Sequence, residues 1–454
     1  MSRPRPISYA ALALALALAA GLTLCLGAPA AAGVPGLDAT RVTLGNGLTV
    51  VLAPDSSAGT VDASLWYRCG TRHESAAQAG LASLAARLTF RNGASGDPIA
   101  PLAAEGGTGL LAVTPDYTSF STTVPAEGLG TALAFLAARM PGTATGAPTQ
   151  SVGPAALATE RAAVDAERKR SERTPVARGL ARLWAAAWPG HPYARTGAAP
   201  TSGSATLAVA DVEAWRKSRY GAANAVLTLT GAFDRERALA DVRAAFQGKV
   251  KGTALSPTAV APKPVQRSSE RIDVPARLCL VGWRGPGAGD PDAPALELLA
   301  TCLGGGSASR LSASLVQDWK VAAAAQAGFT AQREGSLLWT LAVVPLDADT
   351  AAVERTLFDA TKNMSQNAPE AFELERARRQ LEAAVWFGLQ TARQRGQALG
   401  EAELMAGDAA VAVRRLTALD KVTSADLQRV AARVMTDAGR AVVWILPTSA
   451  SPPR

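Results

Sequence analysis

Histidine is almost missing from this 454-residue chain: His73 and His191 are the only two, more than a hundred positions apart. No helical turn can therefore present two imidazoles to one metal ion, which is the arrangement that histidine-pair zinc sites need. A serine hydrolase would have to draw on one of the same two residues, and the G-x-S-x-G elbow is absent. Four cysteines, none in a C-x-x-C pair, make neither a disulfide framework nor a zinc knuckle. Aromatic residues are only 5%, so the cores are expected to be packed with Leu, Val and Ala. Gly304-Gly305-Gly306 lacks the G-x-x-x-x-G-K-[ST] pattern of a phosphate loop and reads as a tight turn before a helix.

The N-terminus is rich where the rest is poor. Arg3 and Arg5 precede an apolar run from Ala10 to Leu26, and Ala28–Ala32 supplies small residues. The pattern reads as a secretion signal over residues 1–32, which implies export across the inner membrane to a periplasmic or envelope location. A retained membrane anchor is the alternative, as is a lipid on Cys25, which Leu24 disfavours by standing where a small residue is wanted. No later run is long and apolar enough to cross a bilayer. The net charge is +8, but the basic residues are dispersed apart from Arg168-Lys169-Arg170 on an expected helix. No aromatic-interleaved basic groove accompanies them, so nucleic acid is not an expected partner. Cys69, Cys279 and Cys302 read as buried thiols, with one bridge between halves as the alternative.

Periodicity and turn chemistry divide the rest. Strands are expected around the turn Gly45-Asn46-Gly47, at Val61 to Arg68 and at Leu110 to Val124. Helices are expected at Gln78 to Phe90, Leu129 to Met140, Ala155 to Arg173 and Val209 to Arg219, the last followed by the strand Ala225 to Thr230. A Gly/Lys/Pro/Ser/Thr-rich stretch near residues 249–264 reads as a linker between units at 37–248 and 265–448. Beyond it come the strand Arg277 to Trp283 and the helix Ala295 to Leu303, then strand, helix and strand. Both halves end alike. The helix opening at Asp211 and Asn224 just before the strand Ala225 to Thr230 are matched, 215 residues on, by a helix opening at Asp426 and by Gly439 before the strand from Ala441, which points to duplication.

Several segments then fall in the order and spacing of one peptidase family. They are Arg41–Val51, Leu65–Glu74, Gly80–Phe90, His191-Pro192-Tyr193, Arg219–Asp234, Gly304–Leu311 and Phe387–Gln390. Together they make the chain resemble the pitrilysin/insulinase metallopeptidases. The resemblance implies an α+β fold of two homologous domains, each an antiparallel sheet packed with helices. Active members hold zinc on an H-x-x-E-H helix plus a distal glutamate, with the helix glutamate as general base.

Here the three helix positions are Ser83, Ala86 and Arg87, while Glu167 matches the distal ligand and Glu160 a supporting acid. A serine, an alanine and a fixed cation are a poor set for a dication, so zinc is not expected, and an ion pair between Arg87 and Glu167 is. The cleft strand has Leu110, Leu111 and Val113 at the family's Asn-Ala-x-Thr positions, with Asp116, Thr118 and Phe120 beyond. Val316 and Ala323 stand at the Arg and Tyr positions of the second domain. The resemblance implies a non-catalytic member that partners an active relative as a heterodimer or binds extended peptides. The alternatives are a zinc endopeptidase using Glu74, Glu160 and Glu167, or a structural envelope component. His73 and His191 read as turn and loop residues.

Overall fold

The computed structural model describes residues 37–92, 96–142, 153–196, 206–255 and 260–448. The N-terminal signal and part of the linker lie outside them. The first sheet contains β1 (Thr40–Thr43), β2 (Thr49–Pro54), β3 (Thr60–Tyr67), β4 (Thr108–Val113), β5 (Thr118–Pro125) and β6 (Ala225–Gly231), in the order β1-β2-β6-β3-β5-β4. The second contains β7 (Arg267–Ile272), β8 (Arg277–Gly285), β9 (Ala324–Ala331), β10 (Ser336–Val344) and β11 (Arg440–Pro447), in the order β7-β11-β8-β10-β9. With β1 set aside, the two orders are the same pattern. Each sheet is antiparallel save for one pair, β2 with β6 and β7 with β11, where the first and last strands of a half run side by side in parallel.

The longer helices of the first half are α1 (Leu81–Arg91), α2 (Leu129–Ala137), α3 (Pro154–Glu172), α4 (Pro175–Ala187), α5 (Val209–Arg219) and α6 (Arg235–Phe246). Those of the second are α7 (Ala293–Gly304), α8 (Thr350–Gln366), α9 (Ala371–Phe387), α10 (Ala392–Met405), α11 (Ala410–Asp420) and α12 (Ser424–Val434). The sequence duplication is visible in register: α5 begins at Val209 and α12 at Ser424, and β6 and β11 follow them at Ala225 and Arg440.

The halves are interlocked by an exchange of helices. α4 leaves the first half to pack on β8 and β11, while α10 leaves the second to pack on β3 and β6. Strand pleating explains the need for it, since alternate side chains point to opposite faces. Val61, Ala63, Leu65 and Tyr67 of β3 enter the core of the first half, whereas Trp66 points to the other face. That face also carries Asp62 and Ser64, so β3 reads from sequence as half-exposed. α10 covers it, and both faces of β3 are buried. Asp62 is satisfied there by Ser64 Oγ at 2.7 Å and Thr123 Oγ1 at 2.8 Å. On the other sheet, Leu280 of β8 and Ile445 of β11 meet α4 at Gly179.

The expected strand Leu110 to Val124 is a hairpin of β4 and β5. Thr114 closes its turn, its Oγ1 accepting from the Tyr117 N–H at 3.0 Å, chemistry that Thr, Pro and Asp favour. The expected helix from Gln78 starts only at Leu81, because Gly80 adopts φ 94°, a left-handed conformation. Cys69, Cys279 and Cys302 are buried free thiols.

Candidate functional site

α1 is amphipathic in two directions. Leu81, Leu84, Ala85 and Leu88 enter the core, and Ser83, Arg87 and Arg91 recur at every fourth residue on another face. Its N-terminus is capped by the buried carboxylate of Glu74, which accepts from Ala82 N–H at 2.7 Å and Gly80 N–H at 3.0 Å. An acid at the positive end of the helix is well placed. Burial nevertheless pushes its pKa up to about 7 against the pull of those bonds.

α3 runs beside α1 and presents Glu160, Val164 and Glu167, spaced to share one face. Arg87 reaches across to both acids: its Nη2 lies 2.6 Å from Glu167 Oε2 and its Nη1 lies 3.6 Å from Glu160 Oε2. Glu160 also takes Arg91 Nη1 at 3.0 Å. The two acids differ in setting. The Glu160 side chain is only 9% exposed and bridges two arginines, whereas that of Glu167 is 68% exposed and, among the described residues, is held by Arg87. The expected Arg87–Glu167 pair is thus present, embedded in a four-membered network. Arg91 lies outside the family's motif positions, and its place four residues after Arg87 is the signal that puts it on the same face.

Around this network lies a cavity of about 440 Å³, lined further by Phe90, Pro98, Leu111, Val113, Val164 and Arg168. Ser83 lies on its wall, and Ala86 is buried in α1. β4 forms one side of the cavity. Leu111 and Val113 face it, while the Leu110 side chain alternates outward and the residue is 51% exposed. Among the described residues β4 pairs only with β5, so its second edge carries unused backbone N–H and C=O groups.

The remaining expected site residues are elsewhere. Val316 lies in a π-helical turn (Ser312–Asp318) packed on the second core, and Ala323 precedes β9, its N–H donating to Val343 O at 2.8 Å. Neither lines the cavity. Glu74 is committed to capping α1 and does not join Glu160 and Glu167 there, which removes it from the ligand set of the endopeptidase alternative. Among the described residues no group of three or more His, Cys, Asp and Glu side chains is placed to hold a metal ion.

Both histidines accept from backbone N–H groups. His73 Nδ1 accepts from Gly70 N–H at 3.1 Å, and burial followed by Arg72 drives its pKa down to about 3, leaving it neutral. His191 Nδ1 accepts from Tyr193 N–H at 3.1 Å in a loop that ties the halves together. In that tie, Tyr193 Oη donates to Asp116 Oδ1 at 2.8 Å and accepts from Glu334 N–H at 3.1 Å, and Arg72 pairs with Asp116 at 2.9 Å and with Glu334. No local pattern marks this cluster in the sequence, because its members come from four distant segments. Thr118 Oγ1 donates to Cys69 O at 2.9 Å, and Phe120 is buried.

Comparison with known proteins agrees with this architecture. Residues 49–201 match the family model described as "Insulinase (Peptidase family M16)", and residues 206–381 match "Peptidase M16 inactive domain". A relative from Arabidopsis thaliana, named as a probable mitochondrial-processing peptidase subunit beta, is 23% identical over 90% of this chain and 78% of its own length. "Zinc protease PqqE" of Helicobacter pylori is 23% identical over 63% of this chain and 65% of its own. Among solved structures, a protease from Helicobacter pylori superposes with a TM-score of 0.79 at 19% identity, over 90% of this chain and 99% of that one. A structure from Pseudomonas fluorescens described as a peptidase M16 inactive domain gives 0.79 at 19% identity, over 92% and 99%. At such identities these two are likenesses of fold.

Proposed function

Within the insulinase (M16) peptidase family, to which this chain belongs, we propose a non-catalytic member that binds extended peptide segments. The reading rests on one observation: where the family's helix would hold a divalent ion, Arg87 sits bonded to Glu167 and Glu160. A guanidinium cannot be deprotonated in a protein, so its charge opposes a cation at every working pH. Ser83 offers only a neutral hydroxyl, and Ala86 has no group to take a proton from water. The residues present do not fit zinc.

Binding needs none of these losses repaired. The bare edge of β4 can extend its ladder by one strand, with backbone hydrogen bonds supplying affinity and alternate side chains supplying selectivity. Leu111 and Val113 give such a strand an apolar wall to lie against. A companion that carries the metal is the natural partner, forming a heterodimer in which this chain holds or positions the substrate. One relative's name describes it as a subunit. Residues 1–32 would deliver the chain to the periplasm or envelope, with membrane attachment only if that segment is kept or lipidated.

The test uses the purified mature chain and a library of capped six-residue peptides, matched to the length of β4. Captured peptides recovered whole, with or without a chelator, support the reading. Chelator-sensitive cleavage contradicts it.

A further inference from the structure

We propose that α10, a helix of the second half, positions the β4 edge for one extended peptide strand, with Arg393 as the positioning residue. The inference rests on the peptide-binding reading above and concerns how that site is held in shape. None of the six residues of β4 is buried, so apolar packing gives the strand little hold beyond its ladder to β5. Polar contacts from the other half supply it.

Arg393 lies in the first turn of α10, where a cation opposes the helix dipole. Its side chain is 29% exposed and reaches over the first sheet. Asp62 of β3, Thr123 of β5 and Thr108 of β4 stand opposite one another, in a row across three strands. Arg393 spans that row. Its Nη2 donates to Thr108 Oγ1 at 2.6 Å and to Thr123 Oγ1 at 2.8 Å, and its Nε donates to Thr123 Oγ1 at 3.0 Å. Asp62 Oδ1 is farther, 3.8 Å from Nε, so the threonines are what the guanidinium grips. Thr108 and Thr123 are the cross-strand pair at the base of the hairpin, and one side chain pins their register.

The tip is held as well. Glu401, further along the same side of α10, accepts from Tyr117 Oη at 2.7 Å, and Asp116 Oδ2 accepts from Arg333 N–H at 3.1 Å. The second half thus grips the hairpin at both ends. A peptide strand adding to the free edge meets a template already fixed in pleat and spacing, so less ordering cost falls on binding.

The experiment compares the whole mature chain with Arg393→Gln, Arg393→Lys and Arg178→Gln, by hydrogen–deuterium exchange and by capture of the capped six-residue peptides. Arg178 is the control, since it joins the other exchanged helix, α4, to Glu270 of β7 in the second sheet. Arg393→Gln is expected to speed exchange of the β4–β5 ladder amides about tenfold and to weaken capture by a similar factor, the loss of charge-assisted hydrogen bonds. Arg393→Lys keeps the charge and a donor and should recover part of both, and Arg178→Gln should change neither. Unchanged β4 exchange in Arg393→Gln, exchange raised equally in both sheets, or the same loosening of β4 in Arg178→Gln overturns the inference. Loosened β4 with undiminished capture overturns it too. If the parent captures no peptide, the peptide-binding reading fails, and the exchange pattern by itself decides whether Arg393 holds β4.

Discussion

Gly400 of α10 lies against the indole of Trp66 on β3, so close that a Cβ on Gly400 would stand 2.4 Å from the ring. The two residues belong to different halves, and their contact is where the exchanged helix seats on the sheet. Gly400→Ala should therefore destabilise the whole chain by about 1–3 kcal/mol, the usual cost of overpacking. Gly179→Ala, at the equivalent helix of the first half, meets the movable methyls of Leu280 at 2.9 and 3.1 Å and should cost less. Urea unfolding of both variants checks the order. Equal stability of Gly400→Ala and the parent would mean that α10 does not seat this way.

Reciprocal helices also set the cooperativity. Because α4 and α10 each complete the other half's sheet, neither half can lose its fold without uncovering the other. Calorimetry is expected to give a single unfolding transition. Two well-separated transitions would show that the halves are independent.

The arginine network makes a graded prediction. Arg87→Ala leaves the buried Glu160 with Arg91 alone and should cost about 1–2 kcal/mol, between the values for exposed and buried pairs. Glu167→Ala removes an exposed partner and should cost less than about 0.5 kcal/mol. Melting temperatures decide. An order reversed between the two, or no change in either, would refute the assigned roles.

Glu74 supplies a pH signature. Its folded pKa, near 7, lies above the ordinary value of 4.5, so between these two the folded state holds more protons than the unfolded one. The stability it contributes is complete below about pH 4.5 and is lost as pH rises through 7, with a slope of up to about 1.4 kcal/mol per pH unit. Glu74→Gln should flatten that part of the profile. If both proteins show the same decline between pH 5 and 8 in urea unfolding, Glu74 is not the group responsible.

How much of this was legible in the sequence follows from the range of the forces involved. Local signals sufficed for the hairpin at Gly45-Asn46-Gly47, for α5 and for the duplicated ends, because turn chemistry and helical spacing are written within a dozen residues. They failed for β3, whose Asp62 and Ser64 look solvent-facing until α10, more than three hundred residues away, covers them. They failed also for α4, whose apolar face belongs to the other half's sheet. At the site, Arg87 and Glu167 could be matched through the family's ligand positions. The cluster of Arg72, Asp116, Tyr193 and Glu334 has no local pattern at all, since only the meeting of the halves creates it.

The most direct measurement is metal content: the mature chain, equilibrated with zinc and then freed of loosely held ions, is analysed by mass spectrometry for bound metal per chain. If, as proposed, Arg87 stands where active relatives carry a ligand, the expected result is far below one zinc per chain and unchanged by Glu160→Gln or Glu167→Gln. One tightly held zinc per chain, lost in those same variants, would contradict the account.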